Sequence, residues 1–159
     1  MYHDGPPLSY AADAPFQWYL VPEHERNARC ILESEVCVID RRDSFIKGNV
    51  EIPLVDKEGV FAWTVWVSLS ESNFRKAIEL WDNPRRTEEP PYFGWLSTRL
   101  APYPDTLNLK TKVHTRPVGI RPSIELEPTD HPLAVEQRLG LGRKRVLEIA
   151  EAVRHQPDE

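Results

Sequence analysis

Apolar and polar residues alternate with a period of two through much of this chain, and that period predicts strands. The segment Val60–Leu69 is apolar on both parities, with Phe61, Trp63, Val65 and Val67 on one and Val60, Ala62 and Trp66 on the other. A strand of that kind is buried on both faces and central to its sheet. Trp63 and Trp66 are read as core rather than pocket lining, because large aromatics mostly serve packing. Further strands are expected over 35–40 and 44–55, joined at Arg41-Arg42-Asp43, with a distortion at Gly48 or Pro53. Residues 92–100 predict another, in which Gly94 between two aromatics signals a bulge or a close backbone approach.

Two more alternating stretches follow. Over 107–116, Leu107, Leu109, Thr111 and Val113 share one face, and Asn108, Lys110, Lys112, His114 and Arg116 the other. Over 117–127, Val118, Ile120, Ile124 and Leu126 oppose Arg121, Ser123, Glu125 and Glu127. Arg116-Pro117-Val118-Gly119 offers the turn between them. The expected antiparallel hairpin, centred near Pro117, sets His114 opposite Arg121, Lys110 opposite Glu125 and Asn108 opposite Glu127.

A helical period appears most clearly over 70–81, where Phe74, Ala77, Ile78 and Trp81 form an apolar stripe. Ser70 or Ser72 can cap it, Glu71 complements its dipole, and Asp82-Asn83-Pro84 stops it. Pro22 suits the first position of a short helix running to about Leu32. The charged, proline-ended stretch 85–91 is a candidate mobile rim. Thr129 or Asp130 can cap a helix to about Leu139, and Gly140-Leu141-Gly142 separates it from a last helix over 143–155. Residues 1–19 read as an irregular lead-in pinned by Phe16, Trp18 and Tyr19, and 156–159 as a frayed tail. The expected fold is a single α+β domain over 1–159, a twisted, mainly antiparallel sheet with helices packed on it.

At 159 residues, 40% of them hydrophobic and five of them Trp, the chain can bury a real core. A net charge of −5 weighs against sequence-independent nucleic-acid binding, which needs a basic footprint. No apolar run reaches bilayer length, and the first residues lack a signal-peptide pattern. A cytoplasmic protein with neither a nucleic-acid nor a membrane partner is therefore expected. Cys30 and Cys37 do not have metal-ribbon spacing and read as reduced thiols.

Candidate chemistry gathers in the proline-rich region between Pro90 and Pro132. No phosphate loop, no G-x-S-x-G elbow and no H-E-x-x-H occurs. Gly140-x-Gly142 is helix punctuation. The candidate ligand-binding residues are Lys110, His114, Arg121, Asn108, Glu127, Trp95 and Tyr103, with Tyr92 nearby. In the plain reading they form a solvated sheet face with cross-strand ion pairs of roughly 0.2–1 kcal/mol each. In the sharper one Lys110, His114 and Arg121 bind an anionic small molecule against aromatic walls, and His114, tuned by Glu127 or Lys110, is the candidate catalytic proton carrier. His114 and His131 with Glu127 or Asp130 could hold a metal, but the spacing is unspecific, so no metal and no cofactor is assigned. His131, just before Pro132, suits a structural role at a helix start. Glu136, Gln137 and Arg138 read as helix surface.

The stretches FAWTVWVSLSE, ELWDNP, EEPPYFGWLSTRL, YPDTLNLKTKVHTRPVG and RPSIELEPTDHPLAVEQR are long and distinctive. They resemble the bacterial family catalogued as domain of unknown function 2199, from Trp18 to about Ala152. The resemblance implies a bacterial protein and transfers no catalytic residue. It supports the positions Trp63, Trp66, Trp95, Asn108, Lys110, His114, Arg121, Glu127 and His131. Many members open with Cys-x-x-Cys-Gly-x-x-His, half of a small metal knuckle. Here only His3 and the following Asp4-Gly5 remain, so a metal on His3 is not implied.

With no complete catalytic constellation, the first functional expectation is a non-catalytic accessory or regulatory subunit that binds another protein or itself. Unpaired sheet edges make a homodimer an expectation. The alternative is an enzyme or small-molecule binder using the Lys/His/Arg face. A third is a toxin-neutralising, immunity-type protein.

Overall fold

The structure, a computed structural model, describes residues 5–155. Its strands are β1 (Ser9–Ala11), β2 (Cys30–Leu32), β3 (Val36–Ile39), β4 (Asp43–Pro53), β5 (Val60–Leu69), β6 (Tyr92–Leu96), β7 (Lys110–His114) and β8 (Ser123–Leu126). Its helices are α1 (Phe16–Leu20), α2 (Arg26–Arg29), α3 (Glu71–Glu79), α4 (Pro132–Leu139) and α5 (Arg143–Arg154), with 3₁₀ turns at Glu23–Glu25 and Pro84–Glu88.

The expected open, twisted α+β sheet is corrected: five strands close into a barrel. β4 and β5 form a long antiparallel hairpin, from Ser44 opposite Leu69 to Pro53 opposite Val60. β6, β7 and β8 follow antiparallel, and β8 then returns beside β4 in parallel at Asn49 and Ser123. The ring β4-β5-β6-β7-β8 thus closes on itself. Outside it, β3 and β2 extend the sheet beyond β4, and β1 runs parallel to the first half of β5. Open sheets and barrels share the period of two, so alternation alone carries no sign of closure.

Particular residues make the β4–β8 seam. Gly48 has no Cβ, and one built there would stand 2.6 Å from Ile124 Cδ1 and 3.0 Å from the Pro122 carbonyl. Its absence lets β8 approach, and the Asn49 amide donates to Pro122 O at 2.9 Å. Gln137 of α4, expected on the helix surface, knits the rest. Its Oε1 accepts from the Leu126 amide of β8 at 2.8 Å, and its Nε2 donates to Ile124 O of β8 at 2.9 Å and reaches Glu51 O of β4 at 3.5 Å. Across the same seam the Arg116 fork grips both oxygens of Glu51 at 2.8 and 2.7 Å.

Inside the barrel Val50, Ile52, Phe61, Val65, Leu96 and Ile124 pack with Leu133 and Ile149 from the C-terminal helices. A second, smaller core of Val21, Cys37, Ile39, Phe45 and Trp66 covers the outer side of the β4–β5 hairpin. β5 is therefore buried on both faces, as its pattern predicts, with Trp63 inside and Trp66 in the outer layer. Gly94 also serves as read: a Cβ there would stand 2.8 Å from Ser68 O and closer still to Val67.

Other expectations are revised. The helix over 22–32 breaks after Arg29, and Cys30–Leu32 is β2, paired with β3. Arg29 fixes that switch, with Nε and Nη2 on the Asp40 carboxylate at 2.8 and 3.0 Å and its carbonyl accepting from the Asp40 amide. The lead-in carries β1 and α1. Ser70 caps α3 through the Asn73 amide, whereas His131, not Thr129 or Asp130, caps α4.

The largest revision concerns 85–91. In place of a mobile rim stands the Pro84–Glu88 turn, with Arg86 only 8% exposed. Its Nε donates to Arg116 O at 2.6 Å, Nη1 to Trp81 O at 2.9 Å, and Nη2 to Pro117 O and Ile120 O at 3.1 and 3.0 Å. The β7–β8 connection wraps this guanidinium and becomes a long loop over 115–122 rather than a tight turn at Pro117. The hairpin register consequently moves by two. Lys112 lies opposite Glu125 and His114 opposite Ser123, while the Glu127 amide donates to Lys110 O at 2.9 Å. An even shift keeps parity, so each side chain still faces the side its pattern predicts. Among the described residues no helix is long and apolar enough to cross a membrane.

Replacing Arg86 by Met removes the donors of four partly buried carbonyls, and the expected loss is about 3 kcal/mol in urea unfolding. The neighbouring exposed Arg85→Met changes stability by less than about 0.5 kcal/mol. Equal effects of the two would contradict this role for Arg86.

Candidate functional site

Among the described residues, no layer covers the outer face of β6, β7 and β8. Alternation along β6 turns Tyr92, Gly94 and Leu96 inward and Phe93 and Trp95 outward, and these two rings are 46% and 41% exposed. They meet edge-on with centroids 4.9 Å apart. Trp95 lies directly across from Lys110, and Phe93 from Lys112. Neither lysine forms an ion pair among the described residues. Farther along β7, His114 Nε2 stands 2.7 Å from Glu125 Oε1, both groups exposed to solvent. Glu127 follows β8, exposed. Asn108 is exposed just before β7, in the left-handed region at φ 66°, with its amide on Leu96 O at 2.7 Å.

Two of the predicted site residues lie elsewhere. Arg121 sits beyond the barrel's end, with Nε and Nη2 on the two oxygens of Glu35 at 2.7 and 2.9 Å. Tyr103 is buried on the core side. Its hydroxyl accepts from Trp63 Nε1 at 3.2 Å and donates to Glu136 Oε1 at 2.7 Å, and Arg145 Nε holds the other Glu136 oxygen at 2.7 Å. This network ties α4 and α5 to the barrel. Lys110, His114 and Arg121 therefore do not meet in one cleft.

A second feature lies where Arg121 emerges. α3, the Pro84–Glu88 turn and the 115–122 loop enclose a cleft of about 510 Å³ at one end of the barrel. Ile46, Tyr92 and Val113 form its floor, with Leu80 and Trp81 on one wall and Ile120 on the other. The Arg121–Glu35 pair stands at its rim.

The electrostatics are those of compensated groups. The Arg121 guanidinium holds the Glu35 carboxyl below its ordinary value of 4.5, and Arg116 does the same for Glu51. Burial, helped by the neighbouring Glu136 carboxylate, raises the Tyr103 hydroxyl. Burial also pushes the Cys37 thiol up to about 12, which makes it inert at neutral pH.

His131 turns Nδ1 to the Leu133 amide at 3.1 Å and Nε2 to Asp105 O at 3.1 Å. With both ring nitrogens engaged in capping, it has a structural task. Among the described residues no three His, Cys, Asp or Glu side chains gather as metal ligands. His3 lies outside the described residues.

The sequence reading missed Phe93, Arg86, Glu35 and Gln137. Phe93 was accessible to it, since it shares parity with Trp95. The other three act through contacts distant in sequence, which carry no local signal.

Over residues 1–141 the chain matches the family model DUF2199, described as an uncharacterized protein conserved in bacteria. No curated protein and no solved structure matches it.

The two lowered carboxylates set an acid limb for stability. Because their folded values lie below the ordinary one, their stabilising contribution is complete above the ordinary value and is lost as pH falls through the folded values. Urea midpoints measured from about pH 5 down to about pH 3 should fall more steeply for the native protein than for an Arg116→Met/Arg121→Met variant. Parallel slopes would contradict the assignment.

Proposed function

This chain belongs to the bacterial DUF2199 family, whose description assigns no activity, and from that premise we propose that it is a non-catalytic binding module that docks a partner protein on the outer face of β6–β8. In this reading it acts as an accessory or regulatory subunit. An immunity-type protein would be one case of such a module.

The observation that carries the reading is the exposed, mutually packed pair Phe93 and Trp95, set directly across from two lysines that form no ion pair among the described residues. Aromatic side chains on rigid strands lose little conformational freedom on binding and dominate interface energetics. Covering the two rings removes apolar surface from water at about 25 cal/mol per Å². Lys110 and Lys112 supply the orienting charge, so the matching segment carries apolar side chains beside one or two carboxylates. The net charge of −5 disfavours a nucleic acid on the same face. The separation of Arg121 from Lys110 and His114 leaves the alternative of an anion-processing enzyme on this face without a shared cleft.

The test compares the native protein with a Phe93→Ser/Trp95→Ser variant as immobilised bait in lysate of the source bacterium. Cross-links are then mapped by mass spectrometry. The native bait is expected to retain one protein stoichiometrically, cross-linked at Lys110 or Lys112 and released by salt. A variant with unchanged melting temperature should retain at least about tenfold less of it. Equal retention, or cross-links confined to other faces, would contradict the proposal.

A further inference from the structure

We infer that the cleft at the barrel's end is a binding site for an uncharged small molecule with an aliphatic or aromatic body. This inference is independent of the docking face on β6–β8, which lies on the outside of the barrel. The cleft's volume of about 510 Å³ falls within the range of about 300–1,000 Å³ usual for ligand pockets. Its floor is the end of the barrel core, where Tyr92 and Val113 are packed to 5% and 1% exposure. Trp81, Leu80 and Ile120 add apolar wall on either side. A rigid frame holds these walls apart, because Arg86 bonds both to Trp81 O at the end of the helical wall and to Ile120 O in the loop wall.

The charge state of the cleft decides the class of ligand. Two arginines line it, and each is already engaged by the fold. Arg86 directs Nε, Nη1 and Nη2 to four backbone carbonyls. Arg121 spends Nε and Nη2 on Glu35, whose carboxylate stands in the same rim and repels a second one. The Tyr92 hydroxyl is turned to Glu89 Oε1 at 2.8 Å. A carboxylate or sulfonate entering here would lose its water against a mainly apolar wall and meet the Glu35 carboxylate beside Arg121, an exchange that disfavours the charged form. A neutral ring or branched chain incurs no such cost and gains the whole apolar wall.

Two probes that differ only in charge test this. N-phenyl-1-naphthylamine is neutral, and 1-anilinonaphthalene-8-sulfonate carries the same rings with a sulfonate. Each is titrated into the native protein and followed by its own fluorescence and by energy transfer from tryptophan. The neutral probe is expected to saturate a single site and to bind more tightly than the sulfonate. Ala77→Trp, which fills the cleft from α3, should weaken the neutral probe at least about tenfold. Ile120→Asp, from the opposite wall, should do the same and gives the readout should the first variant fail to fold. The Phe93→Ser/Trp95→Ser variant should bind the probe as the native protein does. No saturable binding, binding unchanged by both cleft variants, loss in the Phe93→Ser/Trp95→Ser variant, or tighter binding of the sulfonate would each overturn the inference.

Discussion

The fold depends most on one buried cation. A guanidinium removed from water is costly unless nearly all its donors are satisfied, and Arg86 meets that demand with carbonyls alone. Four carbonyls from two distant stretches converge on it, one at the end of α3 and three along 115–122. Its Cζ also lies 5.8 Å from the centroid of the Trp81 ring. Because the loop must present Arg116, Pro117 and Ile120 to one side chain, it cannot be a tight turn. Its path carries Pro122 over β4, where Asn49 receives it, and delivers Arg121 to Glu35. The hairpin register, the seam and the cleft wall are consequences of the same contact.

Closure of the barrel then determines what remains exposed. The β4–β5 hairpin is covered on its outer side by the small core around Trp66 and Phe45. The opposite outer face, β6 to β8, has no such cover among the described residues, so its outward aromatics stand exposed beside Lys110 and Lys112. At one end, the Tyr103–Glu136–Arg145 network and the two C-terminal helices fill the space over the core. At the end where α3 and the 115–122 loop meet, Arg86 props the two apart and a cleft remains. A single topology thus separates a polar-aromatic outer face from an apolar end cleft. Residues 107–127 contribute to both without uniting them.

The local layer of this structure was legible in the sequence. Parity assigned Lys110, Lys112, His114 and Glu125 outward and Thr111, Val113, Ile124 and Leu126 inward, and a register shift of two left those assignments intact. The two-sided burial of Val60–Leu69 and the close approach at Gly94 were legible for the same reason: each is a property of neighbours along the chain or of one missing Cβ. What stayed hidden depends on pairs far apart. Nothing in PRRTE distinguishes Arg86 from Arg85, yet one is buried among carbonyls and the other faces water. Gln137 looked like helix surface because its partners, Ile124 and Leu126, are reached only once β8 has returned to β4. Cys30–Leu32 continued a helical stretch until the Arg29–Asp40 clasp is considered. Of the candidate site residues, Trp95, Lys110, His114 and Glu127 share the region they were assigned to. Tyr103 and Arg121 were drawn away by Glu136 and Glu35.

Residue-resolved hydrogen exchange on the native protein tests the central claim, a barrel closed at the β4–β8 seam by the loop that Arg86 organises. The Asn49 amide and the Arg86 Nε proton, each referred to its own intrinsic rate, should be protected as strongly as the amides of Val65 and Val67 in the centre of the barrel, since all open only with the core. Protection of Asn49 and Arg86 as weak as that of the amides of β2, at the sheet's edge, would mean that the seam is open and would contradict the account.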